Sequence, residues 1–315
     1  MCILFKRMVR SGKFRSHKSS INFIFIIGVG YAARKIGILN KELNKGFSDL
    51  LLKVTLPFMI VGSFNHKFSP EMMKNIKSIF IYSLLIHILL IPLSKAFYIK
   101  FPKEKDKKDI LRFVTVFSNC GFMGYPVLQS IYGNIGILYA SVFNIPFTVF
   151  SWTYGVMLFT RDKESRSFKK VMTNPGIIAV IVGIAIFLFS IRLPHALMST
   201  LNLVGSITTP VSMLLIGSML AEVKFSDIFK ETSIYYASVI RLLVVPIIIY
   251  YVMNLCGIDK FLINIAVIVE AMPAAAICSI FAESYSKNPK YASQSVFITT
   301  MLSIVTIPLI LMLIK

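Results

Sequence analysis

The chain has 315 residues, 56% of them hydrophobic, with a mean hydropathy of +0.74 and only 15% charged residues. A soluble domain carries about a quarter charged residues, so this chain has too little polar surface to cover itself in water, which disfavours a soluble enzyme, a disordered chain and a secreted disulfide scaffold. The net charge of +20 comes from basic residues set between apolar blocks rather than on one face, a pattern that orients membrane proteins and argues against nucleic-acid binding.

A spanning helix needs about 20 mostly apolar residues. On that rule the chain divides into ten apolar segments at 21–37, 46–64, 75–99, 110–130, 134–159, 173–191, 197–220, 232–256, 262–283 and 293–314. They are preceded by a basic leader, 1–20, that lacks the long apolar core of a signal peptide. The connections after the odd-numbered segments hold nineteen Lys and Arg, against six in the other connections and the C-terminus. The rich side is expected to be cytoplasmic, with both termini outside. The leader, with its six basic residues, disagrees with that placement.

The four cysteines, Cys2, Cys120, Cys256 and Cys278, form no CxxC pair. Of the histidines only His87 lies in an apolar run, and nothing near it has metal-ligand spacing. Gly28-x-Gly30-x-x-Ala33 imitates a dinucleotide fingerprint, but no strand precedes it. Neither a nucleophile–base pair nor a metal cluster is present to suggest an enzyme.

The third segment contains IYSLLIHILLIPL (81–93) and the eighth YYASVIRLLVVPI (235–247). Aligned without gaps they match Tyr82 with Tyr236, Ile86 with Ile240, His87 with Arg241 and Pro92 with Pro246, an offset of 154. Pro57 and Pro210 are offset by 153, and Pro126 and Pro273 by 147. The chain thus reads as two five-helix repeats, 21–160 and 173–315, joined by a cytoplasmic linker at 161–172. Five is odd, so the second repeat enters the membrane inverted, an arrangement characteristic of secondary transporters.

The fourth segment carries SNCGFMGYP (118–126) and the ninth EAMPAAA (270–276) at comparable places. Glycine and proline in mid-span predict lapses of regular helix, and the freed backbone groups must line a polar cavity or be met by protein. A substrate is expected between the two breaks, met by Asn119, Gly121, Gly124, Tyr125, Pro126, Met272, Pro273 and Ala274, with backbone amides around 121–124 and 274–276 facing its negative charge. Glu270 is a carboxylate at mid-depth, which is costly unless paired, hydrated or protonated. It can bind Na⁺ with Ser118 and Asn119, carry a proton, or pair with Arg241. Arg241 can hold a substrate carboxylate through its planar fork, and Asn144, just before Pro146, can add a polar group. Thr208, Thr209 and Pro210 lie opposite Thr55 and Pro57 by repeat.

GYAARKIGILN (30–40), LPFMIVGSF (56–64), SNCGFMGYPVLQSIYG (118–133), TNPGIIAVIVGI (173–184), TPVSMLLIGSML (209–220) and EAMPAAAICSIFAESY (270–285) together resemble the auxin efflux carrier family. Its likeness in fold to the bile-acid sodium symporters implies ten helices. The first, second, sixth and seventh would form a scaffold, the rest a transport domain, and the fourth and ninth would unwind and cross. The resemblance also implies elevator-like movement, small organic anions such as malate or malonate as substrates, and a Na⁺ site that includes Asn119 and Glu270. The second asparagine of plant members and their long central loop are absent. The expectation is therefore an all-α, multi-pass secondary transporter of a bacterial cytoplasmic membrane, surrounded by lipid and able to form a homodimer. It would couple to Na⁺ or H⁺ and need no other cofactor. An uncoupled channel and a non-transporting solute sensor are the competing readings.

Overall fold

The structure, a computed structural model, describes residues 22–23, 25–160, 168–222 and 231–314. The leader expected at 1–20 and most of the linker expected at 161–172 lie outside the described residues. Helices α1 (25–35), α2 (Lys41–Ser63), α3 (Pro70–Phe97), α4 (Lys105–Val116), α5 (Tyr125–Tyr132) and α6 (Asn134–Thr160) come from the first half. Helices α7 (Pro175–Leu188), α8 (His195–Ala221), α9 (Thr232–Leu255), α10 (Lys260–Glu270), α11 (Ile277–Ser284) and α12 (Pro289–Leu313) come from the second. Every apolar segment of the sequence carries helix, and the segments at 110–130 and 262–283 are each split into two. Among the described residues, α2, α3, α6, α8, α9 and α12 are long and apolar enough to cross a membrane, and no strand is present beyond one isolated bridge.

Helix α3 shows what solvent the fold is built for. Ile81, Leu85 and Ile88 are exposed on one face, while Ser83, His87, Leu90 and Ser94 are buried on the other. A helix in water puts its polar residues outward. This one turns them inward, as a lipid-facing helix must.

Residues cluster into two compact units. One gathers the described residues of Met1–Phe68, Gly121–Tyr139 and Ile178–Glu222. In it, α2 starts at Asn40, whose side chain accepts the Leu43 N–H at 2.8 Å and so satisfies an orphan donor of the first turn. The helix widens into a π turn at Leu51–Thr55 just before Pro57. Proline lacks an N–H and crowds the carbonyl four residues back; the wider turn, in which the Leu56 N–H reaches the Leu51 carbonyl, absorbs that misfit. Pro126 and Pro246 follow π turns at Cys120–Gly124 and Ile240–Val244 in the same way.

Small residues let the helices of this unit approach closely. A Cβ on Gly30 of α1 would strike the Leu214 backbone of α8, and one on Gly217 of α8 would strike the Ile27 backbone of α1. Gly205 of α8 lies against the Met59 backbone of α2. The Thr208 hydroxyl donates to the Thr55 hydroxyl at 3.0 Å, fully buried. Helix α5 packs on α8, where Thr209 donates to the Gln129 side-chain oxygen at 2.9 Å. That packing draws Gly121–Tyr139 into this unit, whereas the family resemblance assigns the whole fourth segment to the other body.

The second unit gathers the described residues of Ser69–Cys120, Ala140–Ile177 and Val223–Lys315. Helix α4 lies at its centre against α3, α9 and α12. At one end, Lys107 donates to both Glu231 carboxylate oxygens at 2.9 and 3.1 Å and lies 5.2 Å over the Tyr291 ring. Lys287 pairs with Asp106 at 3.1 Å. The hydrogen bond to Glu231 holds the Lys107 ammonium above the usual lysine range. These contacts bring the first turn of α4 together with Glu231, just before α9, and Lys287, just before α12, at one end of the unit.

Candidate functional site: a crossing of two broken segments

Helix α4 stops at Val116, and Phe117 turns to extended backbone. Helix α10 stops at Glu270, and the chain is non-helical from Ala271 to Ala276. The two interruptions cross as an antiparallel pair, with Ser118 opposite Ala274. The Asn119 N–H donates to the Pro273 carbonyl at 2.7 Å, and the Ala275 N–H donates to the Phe117 carbonyl at 2.9 Å. These two bonds flank the bridge: Asn119 pairs with Pro273, Ser118 lies opposite Ala274, and Phe117 pairs with Ala275. The Ala274 N–H is met by the Thr299 hydroxyl of α12 at 3.3 Å. Backbone groups freed by unwinding are therefore satisfied inside the protein, as burial demands.

The fourth-segment break lies earlier than its glycines and proline suggest. Cys120–Gly124 is wound as a π turn, and Pro126 occupies the first turn of α5, where a missing N–H is harmless. Pro273 sits inside its own break, so Pro126 and Pro273 do different work, and their alignment in the sequence does not correspond to the crossing. The expected amide cradle at 274–276 also changes character, because the N–H groups of Ala274 and Ala275 are already taken by Thr299 and Phe117.

Arg241 holds the crossing. It projects from the π turn Ile240–Val244 of α9 and is wholly buried. Its Nε donates to the Met272 carbonyl at 3.1 Å and its Nη1 to the Thr115 carbonyl at 2.8 Å. Its Nη2 donates to the Glu270 carbonyl and to Glu270 Oε2, both at 2.8 Å. Thr115 and Glu270 lie at the C-terminal ends of α4 and α10, where unpaired carbonyls and the helix dipoles leave negative potential. One guanidinium answers both ends and a carboxylate. Of the readings open for Glu270 and Arg241, the structure contains their mutual pair.

Glu270 Oε1 and the Ser118 hydroxyl are buried without a hydrogen-bond partner. Ser118 lies in the crossing next to Asn119, which is also buried, and Glu270 ends the helix that leads into it. Unmatched buried oxygens of this kind suit a bound cation or proton. Asn144 joins the same neighbourhood, its Oδ1 accepting from Cys120 Sγ at 2.6 Å. Gly121, Gly124, Tyr125 and Pro126 belong to the first unit; Gly121 borders open space, and Tyr125 is buried. Among the described residues no group of three His, Cys, Asp or Glu side chains is placed to hold a metal.

The sequence reading did not single out Thr299 or the Thr115 carbonyl. The adjacent hydroxyls Thr299–Thr300, in the middle of the tenth apolar segment, are the signal that was available for the first. A main-chain carbonyl leaves no trace in the sequence.

Inward-turned polar residues on apolar helices and a buried, charge-bearing crossing define a multi-pass membrane protein. The family profile described as membrane transport protein matches residues 17–311, and the chain belongs to that family, the auxin efflux carrier family its motifs resemble. An uncharacterized transporter of Methanocaldococcus jannaschii is 26% identical over 91% of this chain and 94% of its own length. The uncharacterized transporter YfdV of Escherichia coli is 21% identical over 91% and 93%. A Rhizobium meliloti protein named "Putative malonate transporter" is 25% identical over 47% of this chain and 46% of its own length.

Proposed function

We propose that the chain is a secondary active transporter of small carboxylates of the malonate or malate type, working by elevator-like alternating access and coupled to Na⁺ or H⁺. The observation that carries this reading is the reciprocal crossing of Phe117–Asn119 with Pro273–Ala275. A pair of broken segments at mid-membrane is where transporters of inverted-repeat design place their substrates. Asn119, the oxygens of Ser118 and Glu270, and Asn144 are its polar groups, while Arg241 keeps the broken ends in place. The name of the Rhizobium relative supports a small dicarboxylate as the first probe.

Two features support inversion of the halves. At the crossing Ser118 meets Ala274, and elsewhere Thr55 meets Thr208, 156 and 153 positions apart, as near-equivalent residues of two repeats do close to a two-fold axis. The first turn of α4 also shares one end of its unit with Glu231, just before α9, and Lys287, just before α12. The span α9 therefore carries the repeat-equivalent of that turn, at the start of α10, to the other end.

Purified protein should be stabilised against heat by malonate or malate, and more so with Na⁺ or at lower pH. Glu270→Gln should abolish the Na⁺-dependent part. Sodium-driven flux at full rate in that variant would remove Glu270 from coupling.

A further inference from the structure

His87 is a buried ionisable group that the reading above does not use. It is wholly buried on the inward face of α3. Its Nδ1 lies 2.8 Å from the Ser83 carbonyl. A carbonyl only accepts, so Nδ1 carries the hydrogen and the neutral ring keeps its lone pair on Nε2. That Nε2 has no hydrogen-bond partner. A free lone pair in a dry interior is a cost that an apolar side chain would avoid.

Burial in a dry interior disfavours charge on the ring, and the aromatic faces around it offset part of that cost. Four phenylalanines enclose the imidazole, with Phe150 stacked at 5.7 Å and 8°, and Phe143, Phe147 and Phe117 at 6.1, 6.1 and 6.3 Å. Aromatic faces at such distances attract cations, more strongly when water is absent. The charged groups that act on His87 are Glu270, from α10, and Arg241, from α9. Helix α6, which supplies three of the rings, contains no Asp, Glu, Lys or Arg. Phe117 belongs to the crossing itself, and its carbonyl accepts the Ala275 N–H.

We propose that His87 is the protonation site of the transporter, taking one proton on Nε2 as one carboxylate charge enters the crossing. This deepens the proposed function and rests on it. Arg241 and Glu270 already neutralise one another, so an incoming carboxylate has no counter-charge until the imidazole gains a proton. The step breaks no covalent bond of substrate or protein: the proton comes from water, forms an N–H on Nε2, and leaves when the anion does. Residue 87 is also the repeat-mate of Arg241, so each half supplies one cation beside the crossing.

The test uses full-length protein in lipid nanodiscs with nitrogen-15-labelled histidine, the signals assigned by replacing His17, His66, His87 and His195 in turn by Gln. Nε2 of His87 should protonate between about pH 5 and 8, with a midpoint that malonate raises. Calorimetry in buffers of different ionisation heat should find one proton taken up per malonate bound, and affinity falling about tenfold per pH unit above the midpoint. His87→Gln should remove the proton uptake. If the wild-type imidazole stays in its neutral Nδ1–H form from about pH 5 to 8 with and without malonate, the proposal is overturned, whatever the variant does. Proton uptake that persists in His87→Gln overturns it equally. Protonation of His87 without malonate binding supports the proton site and sinks the dicarboxylate reading.

Discussion

Arg241 concentrates the site's physics in one side chain. Four donated hydrogen bonds tie it to Thr115, Met272 and both the carbonyl and carboxylate of Glu270. Removing one partner of a buried ion pair strands the other, at a cost of about 3–5 kcal/mol. Arg241→Ala should therefore lose stability on that scale in detergent-solubilised unfolding. Arg241→Lys should recover only part, since an ammonium has three donors and no fork. An unchanged melting temperature in Arg241→Ala would contradict the role given to it. The sequence revealed that Glu270 and Arg241 lie in apolar runs and need explanation, and it offered their pairing as one answer. It could not reveal the Thr115 and Met272 carbonyls that fix the guanidinium. Nor could it reveal that His87 sits among Phe117, Phe143, Phe147 and Phe150, because such an enclosure exists only once separate segments are packed.

At the level of elements, prolines set where helices change and glycines set how near they come. Glycine and proline in 118–126 correctly announced an irregular fourth segment, yet the break falls at 117–119. Proline is welcome in the first turn of α5, and a π turn absorbs the strain ahead of it. Local sequence marks such a disturbance more readily than it marks the residue that unwinds, which is chosen by the partner strand at Pro273–Ala275. Gly217, whose place against the Ile27 backbone leaves no room for a side chain, yields a sharp prediction. Gly217→Leu should destabilise by about 1–3 kcal/mol through overpacking, with hydrogen exchange rising in α1 and α8. Thr299→Val removes the acceptor for the Ala274 N–H and should cost about 1–3 kcal/mol, read as faster exchange at Ala274. Undisturbed exchange in either variant would contradict these contacts.

Over the whole molecule, composition and hydropathy identified a membrane protein, and the ten apolar segments all carry helix. Thr55 meets Thr208 at the offset of 153 read from Pro57 and Pro210, whereas the offset of 147 joins two prolines of unlike role. Lipid-facing positions accept almost any apolar residue, so they carry little information about which helices touch. For that reason the grouping of Gly121–Tyr139 with the first unit was not legible. The charge asymmetry of the loops predicts that the connections before α4, α9 and α12 face the cytoplasm. Single cysteines introduced at Lys103, Ser226 and Ser286 should then react with an impermeant thiol reagent only from inside, after Cys2 and Cys256, the latter an exposed thiol, are replaced by Ser. Labelling from outside would reverse the orientation. The most direct measurement of the central claim is counterflow of labelled malonate into proteoliposomes preloaded with malonate. The account predicts saturable uptake, accelerated by internal malonate and lost in Asn119→Leu; linear, unsaturable flux, or counterflow undiminished by that substitution, would contradict it.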